Sequence, residues 1–340
     1  TPPRSVVSWS QLPATPWHLI DFDPYREGQL RQRRLREEEP LPIPPDADSP
    51  QRKQPYVGIS YYSSYGCPLQ CTFCCSPEVS GLRWKAMPAE RMLDDLQELH
   101  ERWGFDVVRF LDANYGVMEK RVRDFAQGLL DRRLHLWQYA MLQASSIVRY
   151  SPETIDVMAA SGMFNILIGG EAGTDETMER IKKTTRGEEN LQAALAVYES
   201  GMDLQMTYMI GYPGESEASM LATVDQARRV QVACPGASPM VWNFRPIPGT
   251  PLYQESVERG FVPPKGLEEW GGLGHYWLDE RWKSNVTPAA ARARRLFAHF
   301  AGLSKGIARG RIGVWERRAR ARLERADWRF ARLEAKAFDL

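Results

Sequence analysis

From Pro55 onward the chain alternates between short apolar runs, which predict strands, and longer segments with apolar residues at helical spacing. The first run, Tyr56-Val57-Gly58-Ile59-Ser60-Tyr61-Tyr62, is apolar and aromatic, as a strand requires. Pro88-Ala89-Glu90 then opens a helix with Met92, Leu96, Leu99 and Trp103 at helical spacing and Gly104 as its stop. Further strands are expected at 106–111, 136–142, 164–168, 204–210 and 239–244. Helices are expected over 118–132, from Ser151-Pro152-Glu153, over 175–200 and over 216–232. Six such units imply parallel pairing with right-handed crossovers. The expected fold class is α/β, a partial (β/α)6 TIM-like barrel, with an open doubly wound sheet as the alternative. The barrel is favoured because Cys67, Asp112, Glu171, Gly211 and Pro248 follow the C-terminal ends of different strands. Barrel active sites assemble on that face.

The pattern also divides the chain. Residues 1–54 read as a connector arm, with recurrent prolines and a dense charge run at 31–39, so regular structure there should be short. Trp9, Leu12, Trp17, Leu19 and Ile20 are too apolar for a free linker, so the arm should pack on a neighbour. Residues 55–255 form the core barrel. Residues 256–340 form a mostly helical, basic C-terminal extension, with a helix over 251–260 at the junction, an irregular aromatic loop around 270–277 and helix from 288 to 340.

Composition narrows the class. The chain has 340 residues, 43% hydrophobic and 11% aromatic, enough for a sizeable core, and a net charge of +1. That balance argues neither for nucleic acid nor for a membrane. There is no apolar run of membrane-spanning length and no signal peptide at the start, so a soluble cytoplasmic protein is expected. Residues 291–340 hold fourteen Lys or Arg against five Asp or Glu. A solvated face of amphipathic helices is the preferred reading there, ahead of contact with RNA or an anionic substrate.

The chemistry centres on Ser64-Tyr65-Gly66-Cys67-Pro68-Leu69-Gln70-Cys71-Thr72-Phe73-Cys74. Five cysteines with three clustered suit a metal site better than a disulfide framework. Structural zinc takes four ligands, usually as two separated pairs. A [4Fe–4S] cube held by three thiolates keeps one iron open. The C-x3-C-x2-C spacing, with an aromatic before the last cysteine, resembles the signature of the radical S-adenosylmethionine (SAM) enzymes. Further pieces carry the likeness: Arg83-Trp84-Lys85-Ala86-Met87, Ile168-Gly169-Gly170-Glu171-Ala172-Gly173, Met209-Ile210-Gly211-Tyr212-Pro213-Gly214-Glu215 and Pro246-Ile247-Pro248-Gly249-Thr250-Pro251-Leu252. Together they look like the branch that contains cobalamin-binding methyltransferases and the anaerobic Mg-protoporphyrin ester cyclase.

The resemblance implies a [4Fe–4S] cluster on Cys67, Cys71 and Cys74, with SAM chelating the open iron and cleaved to a 5′-deoxyadenosyl radical. Cys75 reads as a small buried residue. The SAM contacts it implies are Phe73 against adenine, Asp112 at the amino group, Gly169 and Glu171 near ribose or ammonium, and Lys183, Tyr208 and Gly211. A surface position is the preferred reading of Lys183. Leu12-Pro13-Ala14-Thr15-Pro16-Trp17-His18-Leu19-Ile20-Asp21 resembles the connector that follows a cobalamin-binding domain, and the chain opens at Thr1 rather than Met. A cobalamin-linked enzyme whose cobalamin domain precedes Thr1 is therefore expected, with His18 outside the context of a cobalt ligand. The implied partners are a small-molecule substrate and an external one-electron donor of flavodoxin or ferredoxin type. The alternatives are a tRNA methylthiotransferase and a non-catalytic Fe–S or zinc protein that binds nucleic acid.

Overall fold

The computed structural model describes residues 7–36, 56–274, 285–308, 313–326 and 328. Among the described residues there are eight strands, six of which form one parallel sheet: β1 (Gly58–Tyr61), β4 (Val107–Phe110), β5 (Trp137–Leu142), β6 (Met163–Glu171), β7 (Asp203–Ile210) and β8 (Ser238–Asn243). They lie side by side in that order, with β1 and β8 at the ends of the row. A doubly wound sheet reverses its strand order at a switch point; this one never does, so it is an arc of a barrel.

The helices Ala89–Trp103, Glu119–Asp131, Pro152–Ala160, Gly187–Glu199 and Glu217–Ala233 return the chain between successive strands. Their limits follow from local chemistry. Gly104 adopts the left-handed conformation (φ 66°) that closes the first, and the Ser151 side chain accepts the Thr154 N–H at the start of the third. Burial alternates along the strands. In β7, Leu204, Met206, Tyr208 and Ile210 are buried towards the helices, and Gln205, Thr207 and Met209 between them are partly exposed. Phe110, buried at the end of β4, stacks on Tyr115 at 4.6 Å between centroids.

The remaining strands, β2 (Ser64–Gly66) and β3 (Trp84–Ala86), make a small antiparallel hairpin around the cysteine segment. The sequence pattern did not predict it, because three-residue strands show no periodicity. The region expected as one helical stretch over 175–200 is two helices, Asp175–Arg180 and Gly187–Glu199, and β6 runs three residues beyond its expected end. The arm also departs from expectation: Asp23–Arg36 is a 14-residue helix, since Pro24 sits in its first turn, where a missing N–H costs nothing. In place of the loop expected around 270–277, Leu267–Gly274 is helical; residues 275–277 lie outside the described residues.

Both ends of the sheet are covered. The Gln29 side chain donates to the Gly58 carbonyl (2.8 Å) and accepts the Gly58 N–H (2.9 Å), pairing with β1 as a neighbouring strand would. Arg91 donates to the carbonyls of Trp9 (2.7 Å), Leu12 (2.9 Å) and Pro13, so the arm packs on the core. At the other end the helix Pro288–Ala308 lies against β8 and the helix Glu217–Ala233. It buries Ala290, Leu296, Phe297, Phe300 and Ala301, so this part of the basic segment is structural on one face. Helix continues over Val314–Arg325; residues 309–312, 327 and 329–340 lie outside the described residues. Among the described residues no helix is long and apolar enough to cross a membrane.

Candidate functional site

The cysteine loop starts at a conformational requirement. Gly66 has φ +78°, and a Cβ there would overlap the Arg83 carbonyl oxygen across the hairpin. Only glycine lets β2 turn directly into Cys67. None of the cysteines forms a disulfide; Cys67 and Cys71 are buried and Cys74 is half-buried. The three thiols lie within electrostatic reach of one another. Burial pushes the Cys71 thiol up to about 11 and raises Cys67 as well, and the Lys183 ammonium opposes both shifts. Cys75, expected to be buried, is exposed: it precedes the short helix Ser76–Ser80 and faces outward.

Two backbone bonds fix this loop against the rest of the strand-end face. The Thr72 N–H donates to the Ile181 carbonyl (3.0 Å), and the Thr72 carbonyl accepts the Leu252 N–H (3.2 Å). Ile181 stands at the end of the helix Asp175–Arg180, and Lys182 then takes a left-handed conformation (φ 52°). That turn folds Lys183 back into the protein. Its ammonium meets Glu171 Oε1 at 3.1 Å, with the two side chains only 8% and 10% exposed. Lys183 is therefore not the surface lysine that the sequence favoured.

Glu171 owes its position to an irregularity. The β6–β7 register shifts between Gly169 and Glu171, and Glu171 itself has φ 58°. Such bulges re-aim a side chain, and a non-glycine residue in this region stores strain of order 1–3 kcal/mol. Here the carboxylate is turned across Gly169, where a Cβ would overlap Glu171 Oε1 and press on Lys183 Nζ. Gly169 thus makes room for the ion pair.

Glu171 and Phe73 line a cavity of about 370 Å³ together with Thr207 and Met209 of β7, Trp242 and Asn243 of β8, the following Phe244, Arg245 and Ile247, and Arg294 of the C-terminal helix. The β7 and β8 members lay on the partly exposed face of the strand alternation but were not singled out from sequence. Arg294 had no signal at all, since it lies some fifty residues after β8.

Three expected contacts fall elsewhere. Asp112 is fully buried, and its Oδ1 accepts the N–H groups of Ser63 (2.7 Å) and Ser64 (3.1 Å). Its Oδ2 accepts both hydroxyls (2.5 and 2.8 Å), which fills the four acceptor sites of a carboxylate. Arg121 stands 3.9 Å away and also donates to the Ser63 carbonyl at 3.0 Å. Asp112 therefore anchors the turn between β1 and β2 and has no acceptor left for a SAM amino group. Tyr208 points to the helix side of β7, with its hydroxyl donating to Met206 Sδ (2.9 Å) and its ring against Gly170. The Gly211 N–H donates to Glu215 Oε2 (2.7 Å), and the Val286 side chain lies over its Cα, so its N–H is already engaged and its Cα covered.

The donor set fits an iron–sulfur cube. Among the described residues no three or more His, Cys, Asp or Glu side chains converge to hold one metal ion. A cube takes one thiolate per iron and needs no such convergence. Coordination deprotonates a thiol outright, and the buried Lys183 charge acts in the same direction.

An open parallel barrel arc, with three reduced thiols and a buried ion pair at the C-terminal edge of its strands, defines a domain of the metal-cofactor barrel class. Residues 61–227 match the Radical SAM superfamily, and the chain carries a radical SAM domain. Such domains use a [4Fe–4S] cluster and SAM. The chain is 23% identical over 225 residues to the uncharacterized methyltransferase PH0819 of Pyrococcus horikoshii, covering 65% of this chain and 48% of that protein. It is 25% identical over 261 residues to the cytidylyl-2-hydroxyethylphosphonate methyltransferase of Streptomyces wedmorensis, covering 75% and 44%. The structure of the radical SAM methyltransferase TsrM from Kitasatospora setae, with cobalamin and a [4Fe–4S] cluster bound, aligns with a TM-score of 0.53. That alignment covers 61% of this chain and 38% of TsrM at 19% identity, a likeness of fold. The chain spans about half the length of the curated relatives it matches.

Proposed function

We propose that this chain is the SAM-cleaving part of a cobalamin-linked methyltransferase that acts on a small molecule. The observation that carries the reading is the joining of two elements into one unit. The loop with Cys67, Cys71 and Cys74 is bonded through Thr72 to Ile181, at the turn that presents Lys183 to Glu171. In this reading Cys67, Cys71 and Cys74 would hold the cluster, which when bound would supply the electron for cleaving a C–S bond of SAM. The protein positions these partners and excludes water.

Phe73 walls the adenosine side of the cavity. Lys183 occupies Glu171 Oε1, and Oε2 remains to accept hydrogen bonds from ribose hydroxyls. Lys183 also supplies the counter-charge that the buried Glu171 carboxylate needs. The methyl transfer is supported by the two methyltransferase relatives named above, and the cobalamin link by the fold shared with TsrM, whose structure holds cobalamin. An external flavodoxin- or ferredoxin-type donor completes the electron supply.

The test is anaerobic reconstitution with iron and sulfide, followed by SAM and a strong reductant. 5′-Deoxyadenosine should accumulate, and its absence from protein with an intact cluster would sink the reading. With a methyl acceptor, S-adenosylhomocysteine should form only when cobalamin is supplied. Methyl transfer at full rate in cobalamin-free buffer would remove the cobalamin link, and methylthio transfer to tRNA would favour the methylthiotransferase reading.

A further inference from the structure

The helix Pro288–Ala308 lies outside the matched residues 61–227, yet it delivers a guanidinium to the cavity. Arg294 meets no carboxylate among the described residues. Among the described residues its hydrogen bonding is a long contact of 3.5 Å from Nη1 to the Val241 carbonyl, and its Nε is buried without a partner. Burial and the adjacent Arg295 charge both act against its proton, but an arginine stays charged in proteins. A partly buried cation is stabilised by a counter-ion, and none of the described carboxylates supplies one. The carboxylate that lines the same cavity, Glu171, is already paired with Lys183.

We propose that Arg294 recognises an anionic group (carboxylate, phosphate or phosphonate) on the substrate bound beside SAM. This rests on the reading of the cavity as the shared SAM and substrate site. The planar fork of arginine suits two oxygens of such a group, and a bidentate contact fixes orientation as well as charge. Arg245 lines the cavity as well, and the walls Met209, Trp242 and Ile247 suit an apolar or aromatic body attached to the anion. SAM has a carboxylate too, but the sheet order separates it from Arg294. Glu171 ends β6, whereas Arg294 contacts the Val241 carbonyl on β8. Two strand spacings, about 10 Å, lie between β6 and β8. Lys183 is the cation that acts on Cys67 and Cys71, so a SAM carboxylate at the cluster would meet Lys183 before Arg294.

The experiment titrates the reconstituted full chain, with SAM present, against phenylphosphonate and against neutral benzyl alcohol by calorimetry. Wild type should bind phenylphosphonate at least tenfold more tightly. Arg294→Gln should lose that preference through weaker phenylphosphonate binding alone, and Arg294→Lys should restore part of it. A purely structural arginine would not discriminate between the two probes. Equal affinities in wild type, or an unchanged preference in Arg294→Gln, would overturn the proposal. SAM affinity is read in the same samples; a tenfold loss there with the preference intact would assign the guanidinium to SAM and likewise overturn it. If Arg294→Gln melts early, wild-type protein is treated with phenylglyoxal and Arg294 modification is followed by peptide mass. Protection by phenylphosphonate and not by benzyl alcohol supports the proposal, and no protection contradicts it. Failure of wild type to cleave SAM would count against the proposed function, while the probe preference would still report on Arg294.

Discussion

At the scale of single residues, the ion pair and the buried hub make opposite predictions. Glu171→Gln keeps size and removes charge, weakening a charge-assisted hydrogen bond of about 1.5–3 kcal/mol. SAM affinity should fall about tenfold or more with the cluster absorption intact; unchanged affinity would leave Glu171 as a partner for Lys183 only. Asp112→Asn replaces an acceptor with a donor facing the serines and leaves the buried Arg121 uncompensated, a cost of roughly 3–5 kcal/mol. Its melting temperature should drop by several degrees while SAM affinity at low temperature holds. A stable Asp112→Asn with weakened SAM binding would return Asp112 to the SAM amino group. The placement of Glu171 and the cysteines at strand ends was legible, because Glu171 follows an apolar run and the cysteines sit in a fixed spacing. Lys183 was misread because its burial depends on the left-handed turn at Lys182, which sequence does not announce. Tyr208 and Met209 differ only in parity along β7, and the cavity takes the second.

Secondary-structure elements were legible in proportion to their length. The six sheet strands and the connecting helices carry enough period to be read, and Gly104 and Ser151 mark ends where expected. The β2–β3 hairpin was invisible, yet it aims the cysteine loop. Gly66→Ala should therefore act on the cluster from outside it. A Cβ at φ +78° is strained and overlaps the Arg83 carbonyl, so the hairpin must shift. Reconstituted iron should fall well below wild type although all three cysteines remain; full iron incorporation would show that the hairpin does not set the loop. The arm helix and its Arg91 clamp make a separate prediction. Arg91→Ala removes donors to three carbonyls of the arm. Limited proteolysis should then cut within residues 9–22 faster than in wild type and leave the core intact; an unchanged cleavage pattern would show that aromatic packing around Phe22 suffices.

On the scale of the whole molecule, the arc is finished at both ends by segments outside the strand–helix repeat. Gln29 covers β1, and the helix Pro288–Ala308 covers β8 while lending Arg294 to the cavity. The strand–helix alternation made the barrel arc legible. The contribution of the C-terminal helix was not, because a side chain so distant in sequence reaches the cavity only through tertiary packing. The central claim is that one loop of three thiols holds a SAM-cleaving cluster. The most direct measurement is iron and sulfide content together with 5′-deoxyadenosine formation, compared across wild type and the alanine variants of Cys67, Cys71, Cys74 and Cys75. The account predicts about four iron and four sulfide per chain in wild type and in Cys75→Ala. It predicts loss of both cluster and product in each of the other three. One zinc in place of iron, or loss of the cluster in Cys75→Ala while one of the three tolerates change, would contradict it.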